Sequence, residues 1–342
     1  MGRLPLYLAG RYSMAEDNKR LDLAQRVAER LRAASGNASA PSAPAAPITS
    51  APVNNLAMPV IGAPVVEKTL APANNRQPAV AAQSSLPPAD PNDPKFLHID
   101  VRKLYSEGYV SPDGVSNRIA EEFRVIKRPL LLNAFPRTGV KNPKSHVIMI
   151  TSAKPGEGKT FTAINLGMSI ASEPDLNVLL IDTDSYNQDM EQRLGIKDRL
   201  GLLDVLAGDS LSISDVILRT NIPNFSVVPC GHRHSMETEL MASQRMIDMV
   251  DDIAQRYPDR VIIFDTVPAL ASSVAGVLAL HVGQVVVVVE SEATQRQAVE
   301  ETIALVSGCK NVSLLLNKCR YQDTGGFGYY GYYGKDEGLN KL

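Results

Sequence analysis

The chain has 342 residues, of which 44% are hydrophobic and 21% are charged, and its formal net charge is −2. This length can bury one sizeable core together with accessory segments. The balanced charge gives no global basic field, so we expect no binding to nucleic acid and no direct attraction to an anionic membrane. Cys230, Cys309 and Cys319 have no paired spacing, and such usage is typical of free, buried thiols in a reducing compartment.

The sequence carries no predicted membrane segment. Its longest apolar run, residues 285–289, has the length of a strand, whereas a membrane-spanning helix needs about 20 apolar residues. Residues 4–9 are too few, and too interrupted by proline, for a secretory signal. We therefore predict a cytoplasmic protein. Met14 opens a more helix-like sequence than Met1, and the residues leave open which of the two starts translation.

Two segments precede the main domain. In residues 1–35, apolar side chains recur at spacings of three and four across 15–34, which predicts an amphipathic helix. Its polar face carries both charge signs and favours a solvated or docking helix over a membrane-surface helix. Residues 36–95 hold 12 of the 23 prolines among Ala, Ser and Asn, so they are predicted to form a disordered linker.

The main domain is predicted to span residues 96–320. Its first helix, residues 116–132, has an apolar stripe of Ile119, Phe123, Ile126 and Leu130, and Pro129 is expected to bend or end it. Short β-branched runs then alternate with helices. The predicted strands are 146–151, 177–182, 225–229, 260–265, 284–290 and 312–317, and the predicted helices between them include 159–172, 237–255 and 294–307. This alternation predicts an α/β domain with a mostly parallel sheet and helices on both faces.

Residues 153–160 read Ala-Lys-Pro-Gly-Glu-Gly-Lys-Thr, between an apolar strand and a helix, which is the context of a P-loop in an NTPase. Glycines let backbone N–H groups surround phosphate oxygens at the helix N-terminus. The lysine is expected to reach the β- and γ-phosphates and the threonine to bind Mg²⁺. The predicted ATP-binding residues here are Lys154, Pro155, Gly156, Glu157, Gly158, Lys159, Thr160 and Phe161.

Three aspartates support this site. Asp182 and Asp184 end one apolar strand, and Asp265 ends another. The carboxyl ends of parallel strands meet at the ligand crevice, where carboxylates can hold Mg²⁺ or orient a nucleophile. The alternative is that they cap the helices that follow. For Lys154, the residues leave two roles open, contact with a neighbouring subunit's nucleotide or simple exposure in the loop.

The last segment, residues 321–342, holds five of the 11 tyrosines among six glycines. Glycine disfavours stable helix or strand, so the phenols are predicted to be accessible. Gly/Tyr-rich tails can also be simple adhesive low-complexity sequence. The tyrosines are Tyr321, Tyr329, Tyr330, Tyr332 and Tyr333.

Together these features resemble the bacterial tyrosine kinases, the Walker-motif autokinases of polysaccharide export within the deviant-Walker ATPases. The resemblance covers about two thirds of the chain, from residue 116 onward. Glu121, Arg124 and Lys127 resemble the family's oligomerisation element, and the linker is similar to that of exosortase-associated autokinases. The other matching stretches are 152–160, 201–208, 239–246, 264–268 and the tail tyrosines.

The resemblance implies catalytic roles for Lys159, Asp182 and Asp184, and metal roles for Thr160, Asp182 and Asp265. It implies an adenine contact at Asn317, tail tyrosines that accept phosphate in trans, and a ring-like homo-oligomer. It further implies a separate membrane co-polymerase that recruits the chain to the inner face of the membrane to regulate exopolysaccharide length and export.

Two stretches depart from the family pattern. An Arg and a Pro usually follow the second aspartate, where this chain has Ser185, Tyr186 and Asn187, and one proline is replaced by Val267. The departures leave two alternatives, a Min- or Par-like ATPase switch and a nucleotide-binding regulator without catalysis.

Overall fold

The computed structural model describes residues 7–13, 90, 92–113, 117–137, 142–208 and 210–319, with the backbone alone described for 7–13. The strands of this part are β1 (Tyr7–Ser13), β2 (Phe96–Leu97), β3 (Val147–Ser152), β4 (Asn177–Asp182), β5 (Leu218–Thr220), β6 (Phe225–Val228), β7 (Arg260–Asp265), β8 (Gln284–Glu290) and β9 (Asn311–Asn317). They form one sheet in the order β1-β9-β8-β3-β7-β4-β6-β5-β2. Strands β3 and β7 are central, which buries the strand end that precedes the P-loop.

Most neighbouring strands run parallel, as predicted. The antiparallel pairs are β1 with β9 and β5 with β6. All six predicted strands are present, each within one residue of its predicted ends. Strands β1, β2 and β5 were not predicted, and they lie at or near the two edges of the sheet.

The helices are α1 (Val101–Ser106), α2 (Arg118–Ala134), α3 (Lys159–Ala171), α4 (Asp189–Leu194), α5 (Leu202–Ala207), α6 (Ile213–Val216), α7 (Glu237–Met241), α8 (Gln244–Arg256), α9 (Val274–Ala279) and α10 (Arg296–Leu305). Of the two expected effects of Pro129, a bend or an end, the end is wrong, because α2 continues to Ala134. The single helix predicted for 237–255 is two helices. Ser243 separates them, since its side chain accepts a hydrogen bond from the Met246 N–H and caps α8.

Hydrophobic cores lie on both faces of the sheet. Along β3, Ile148 and Ile150 face one core, whereas Val147 and Met149 face the other. The first core includes the apolar stripe of α2 and much of α3, and the second includes α5, α8 and α9. Such two-sided burial requires nearly continuous apolar strands, and it confirms the predicted layers of helix, sheet and helix.

Three predicted segments lie largely outside the described residues: the helix at 15–34, most of the linker at 36–95, and the tail at 321–342. Segment 1–35 was predicted only as a helix, but it also holds β1, which pairs Tyr7 with Leu316 and Ser13 with Asn311. No helix in the described ranges is both long and apolar enough to cross a bilayer. Cys230, Cys309 and Cys319 are free and buried.

Candidate functional site

The P-loop joins the end of β3 to the start of α3. Gly156 and Gly158 have φ values of 83° and 98°, a backbone conformation that residues other than glycine rarely adopt. A Cβ atom on Gly158 would lie 2.1 Å from Asn317 Nδ2, so this glycine is also required by a close approach. These conformations turn the loop back on itself directly before the helix N-terminus, which is a suitable geometry for binding phosphate.

A cavity of about 640 Å³ opens at this loop. Seven of its lining residues belong to the predicted ATP site: Pro155, Gly156, Gly158, Lys159, Thr160, Phe161 and Asn317. Asp184 also lines it. The cavity therefore brings together the P-loop, the end of β9 and the loop after β4, and it has a volume that suits a nucleotide.

Six further lining residues were not among the predicted site residues: Ile119, Glu122, Asn187, Asp189, Arg193 and Lys318. Ile119 and Glu122 belong to α2, which thus forms one wall. Arg193 is paired at 2.9 Å with Asp189, which lies one turn earlier in α4. Their spacing of four residues is the feature of the sequence that could have predicted this pair.

Lys159 is the buried cation of the site. Its Nζ lies 3.7 Å from Asp184 Oδ2, and both side chains are 5% exposed. A lysine at the helix start, aimed at the cavity and balanced by one carboxylate, can approach bound phosphates without leaving an isolated buried charge.

Asp182 and Asp265 are opposite one another at the ends of β4 and β7. Burial raises the pKa of both carboxyls, that of Asp265 to about 7, although the charge of Lys159 and the Thr160 hydroxyl oppose the second shift. Asp182 Oδ2 and both Asp265 carboxylate oxygens are buried without a hydrogen-bond partner among the described residues. Helix capping therefore does not account for Asp265, and this pair of carboxyls is suited to a cation.

Lys154 and Glu157 lie in the P-loop but do not line the cavity. The Glu157 carboxylate is buried, and its Oε2 accepts the Lys154 N–H at 2.9 Å. The Lys154 side chain is exposed. Its position is compatible with both predicted roles, contact with a neighbouring subunit and simple solvation.

The three residues of the predicted oligomerisation element differ in environment. Glu121 and Arg124 are paired with each other on the surface of α2, each side chain about half exposed. Lys127 is buried, and its Nζ donates to the Ser169 carbonyl at 2.5 Å and pairs with Glu173 Oε1 at 2.7 Å. Lys127 thus joins α2 to the C-terminal end of α3 within one subunit, where a cation also complements the helix dipole.

Replacing Lys127 with Met is expected to lower the free energy of unfolding by about 1–3 kcal/mol, because the Ser169 carbonyl and Glu173 lose a buried cationic donor. Urea unfolding measures the change. The control is Arg124→Met, which removes an exposed cation from the same helix and should cost less than about 0.5 kcal/mol. Equal losses in the two variants would contradict an internal role for Lys127.

The AAA domain family matches residues 145–318. Tyrosine-protein kinase CpsD of Streptococcus agalactiae is 30% identical over 201 residues, which are 58% of this chain and 86% of CpsD. Tyrosine-protein kinase wzc of Salmonella typhimurium is 30% identical over 55% of this chain, but the match spans only 26% of wzc.

The fold is similar to that of the kinase domain of Escherichia coli tyrosine kinase ETK, with a TM-score of 0.51 and 27% identity. This likeness covers 61% of the present chain and 80% of the ETK domain. The match to most of CpsD, together with the P-loop domain, shows that the chain belongs to the bacterial tyrosine-protein kinases.

Proposed function

We propose that this chain is an ATP-dependent protein-tyrosine kinase that phosphorylates the tail tyrosines of another copy of itself. The observation that carries the proposal is that the P-loop, the buried Lys159 and Asp184 meet at one cavity. Phosphoryl transfer needs chiefly positioning and charge stabilisation, and a preorganised cation beside the phosphates provides both.

The site also fits Mg²⁺. Unpartnered oxygens of Asp182 and Asp265 are buried at the ends of the neighbouring strands β4 and β7. The hydroxyl of Thr160, which lines the cavity, is close enough to Asp265 to favour its charged form. No group of three His, Cys, Asp or Glu side chains among the described residues is arranged to hold a metal. Mg²⁺ needs only one or two carboxylates, because it completes its octahedron with water and substrate phosphates. When bound, it would neutralise charge on the transferring group.

Asp184 is the better placed of the two catalytic carboxylates to accept the phenolic proton. A tyrosine has a pKa of about 10, so only about one in a thousand is ionised at pH 7. Asp184 lines the cavity, whereas Asp182 is not among its lining residues. Asp184 therefore acts as general base, and Asp182 serves the metal.

Replacing Asp265 with Asn is expected to raise the Mg²⁺ concentration needed for half-maximal phosphotransfer by about tenfold or more, since a neutral amide binds Mg²⁺ weakly. Without metal, the variant should be at least as stable as the wild type, because it no longer buries an unpartnered carboxyl. Mg²⁺ titration and thermal unfolding measure the two effects. An unchanged Mg²⁺ requirement would contradict the metal role.

Phosphorylation of the tail tyrosines would regulate the assembly of the chain. Each phosphorylated tyrosine gains up to about two negative charges, so a phosphorylated tail repels itself and leaves the neighbour's site. A ring in which the exposed Glu121 and Arg124 contact neighbouring copies would then open. We propose that this cycle, coupled to a separate membrane co-polymerase that recruits the chain to the inner membrane face, controls exopolysaccharide length and export.

Incubation of the purified protein with labelled ATP and Mg²⁺, followed by mass-spectrometric mapping of phosphotyrosine, tests the proposal. We expect label on residues among Tyr321, Tyr329, Tyr330, Tyr332 and Tyr333. ATP hydrolysis without phosphotyrosine, even with a membrane activator fragment present, would support the ATPase switch instead. Binding without either reaction would support a regulator that has lost catalysis.

A further inference from the structure

Residues at or just after the ends of β8 and β9 form hydrogen bonds with the P-loop. Asn317 Nδ2 donates to the Glu157 carbonyl at 2.8 Å, and Lys318 Nζ donates to the Gly156 carbonyl at 2.8 Å. Asn317 is buried, while Lys318 is exposed and has the unusual φ of 56°. The two consecutive residues therefore bind two consecutive carbonyls of the loop.

These contacts also set the direction of two N–H groups. A peptide unit is planar and trans, so its C=O and the next residue's N–H point to opposite sides. Holding the Gly156 carbonyl fixes the Glu157 N–H, and holding the Glu157 carbonyl fixes the Gly158 N–H. Both N–H groups then point away from β9. They belong to the turn of the loop that is suited to phosphate.

A second set of contacts keeps the holding residues in place. Lys318 Nζ also pairs with Glu290 Oε2 at 2.9 Å, and the Lys318 N–H donates to Asn317 Oδ1 at 2.8 Å. The Glu290 N–H donates to Thr294 Oγ1 at 3.0 Å, and the Thr294 hydroxyl donates to the Glu157 carboxylate. The network thus closes on the P-loop at three points: two carbonyls and one carboxylate.

We propose that Asn317 and Lys318 are positioning residues that aim the Glu157 and Gly158 N–H groups at the nucleotide phosphates. The inference rests on the proposed binding of ATP at this loop. It assigns Asn317 an action through the P-loop backbone, in place of the adenine contact that the family resemblance implies. Preorganised donors avoid the free-energy cost of reorienting the loop when the nucleotide binds.

Calorimetric titration of the full chain with ADP, ATP and GTP tests the inference. Lys318→Met and Asn317→Ala should each weaken ADP and ATP binding by about tenfold, the effect of losing one hydrogen bond that involves a charged or buried group. Lys318→Arg should restore most of the affinity, because a guanidinium can reach both oxygen partners. The ratio of ATP to GTP affinity should stay unchanged in Asn317→Ala.

The outcomes separate the possible failures. An Asn317→Ala chain with a changed ATP to GTP ratio would show a base contact and overturn the positioning role of Asn317. Wild-type ATP affinity in Lys318→Met would overturn the positioning role of Lys318. Because Lys318 is exposed, its replacement should leave the fold intact. A wild-type chain that binds no nucleotide would instead refute the proposed function, and thermal unfolding without nucleotide identifies a misfolded variant.

Discussion

Replacing Lys159 with Met is expected to lower the rate of tyrosine phosphorylation by at least about 100-fold, with the fold intact. The Nζ group is the buried cation beside Asp184, and Lys159 lines the cavity where the phosphates of ATP would lie. Its removal takes away charge stabilisation of the transferring group and leaves the carboxylates facing an anionic nucleotide. The initial rate of phosphotyrosine formation at saturating ATP and Mg²⁺ measures the effect.

Lys154→Met is the matched control, because it makes the same chemical change in the same loop at an exposed side chain. It should leave ATP affinity within about twofold of the wild type, since a solvated lysine contributes little to a screened interaction. If Lys154 contacts a neighbour's nucleotide, its loss lowers phosphorylation only at protein concentrations that support oligomers. Wild-type labelling by Lys159→Met would contradict the assigned role of Lys159.

The sequence was informative about the central strands for a physical reason. Strands buried on both faces must be apolar along nearly their whole length, so apolar runs such as 285–289 are visible without any knowledge of their partners. Strands β2 and β5 have only two and three residues, too few to show a period. Strand β1 exists through its pairing with the distant β9, and no local pattern specifies such a long-range contact.

The candidate site divides in a similar way. The P-loop and the strand-end aspartates were predictable, because a motif and the topology of parallel sheets specify their place. The contacts of Lys318 and Thr294 with the P-loop join residues more than 130 positions apart, and local sequence does not specify them. The burial of Lys127 was predictable, because it follows Phe123 by four residues and therefore lies on the same buried face of the helix.

Transfer between copies is expected to appear when two defective chains are mixed. One is Lys159→Met, which keeps the acceptor tail, and the other ends after Cys319, which keeps β9 and Lys318 but lacks the five tail tyrosines. Neither should form phosphotyrosine alone. Together they should label the Lys159→Met chain at a rate that rises with the concentrations of both, because the phosphoryl group must cross from one copy to the other.

The acceptor and the shortened enzyme each have a control. Changing the five tail tyrosines of the Lys159→Met chain to Phe should abolish the label, since Phe keeps the ring but lacks the nucleophilic oxygen. The shortened chain should bind ATP with nearly wild-type affinity, because the residues that hold the P-loop all precede the truncation. An unlabelled mixture, beside a labelled wild type, would show that each copy phosphorylates its own tail and would remove the need for a ring.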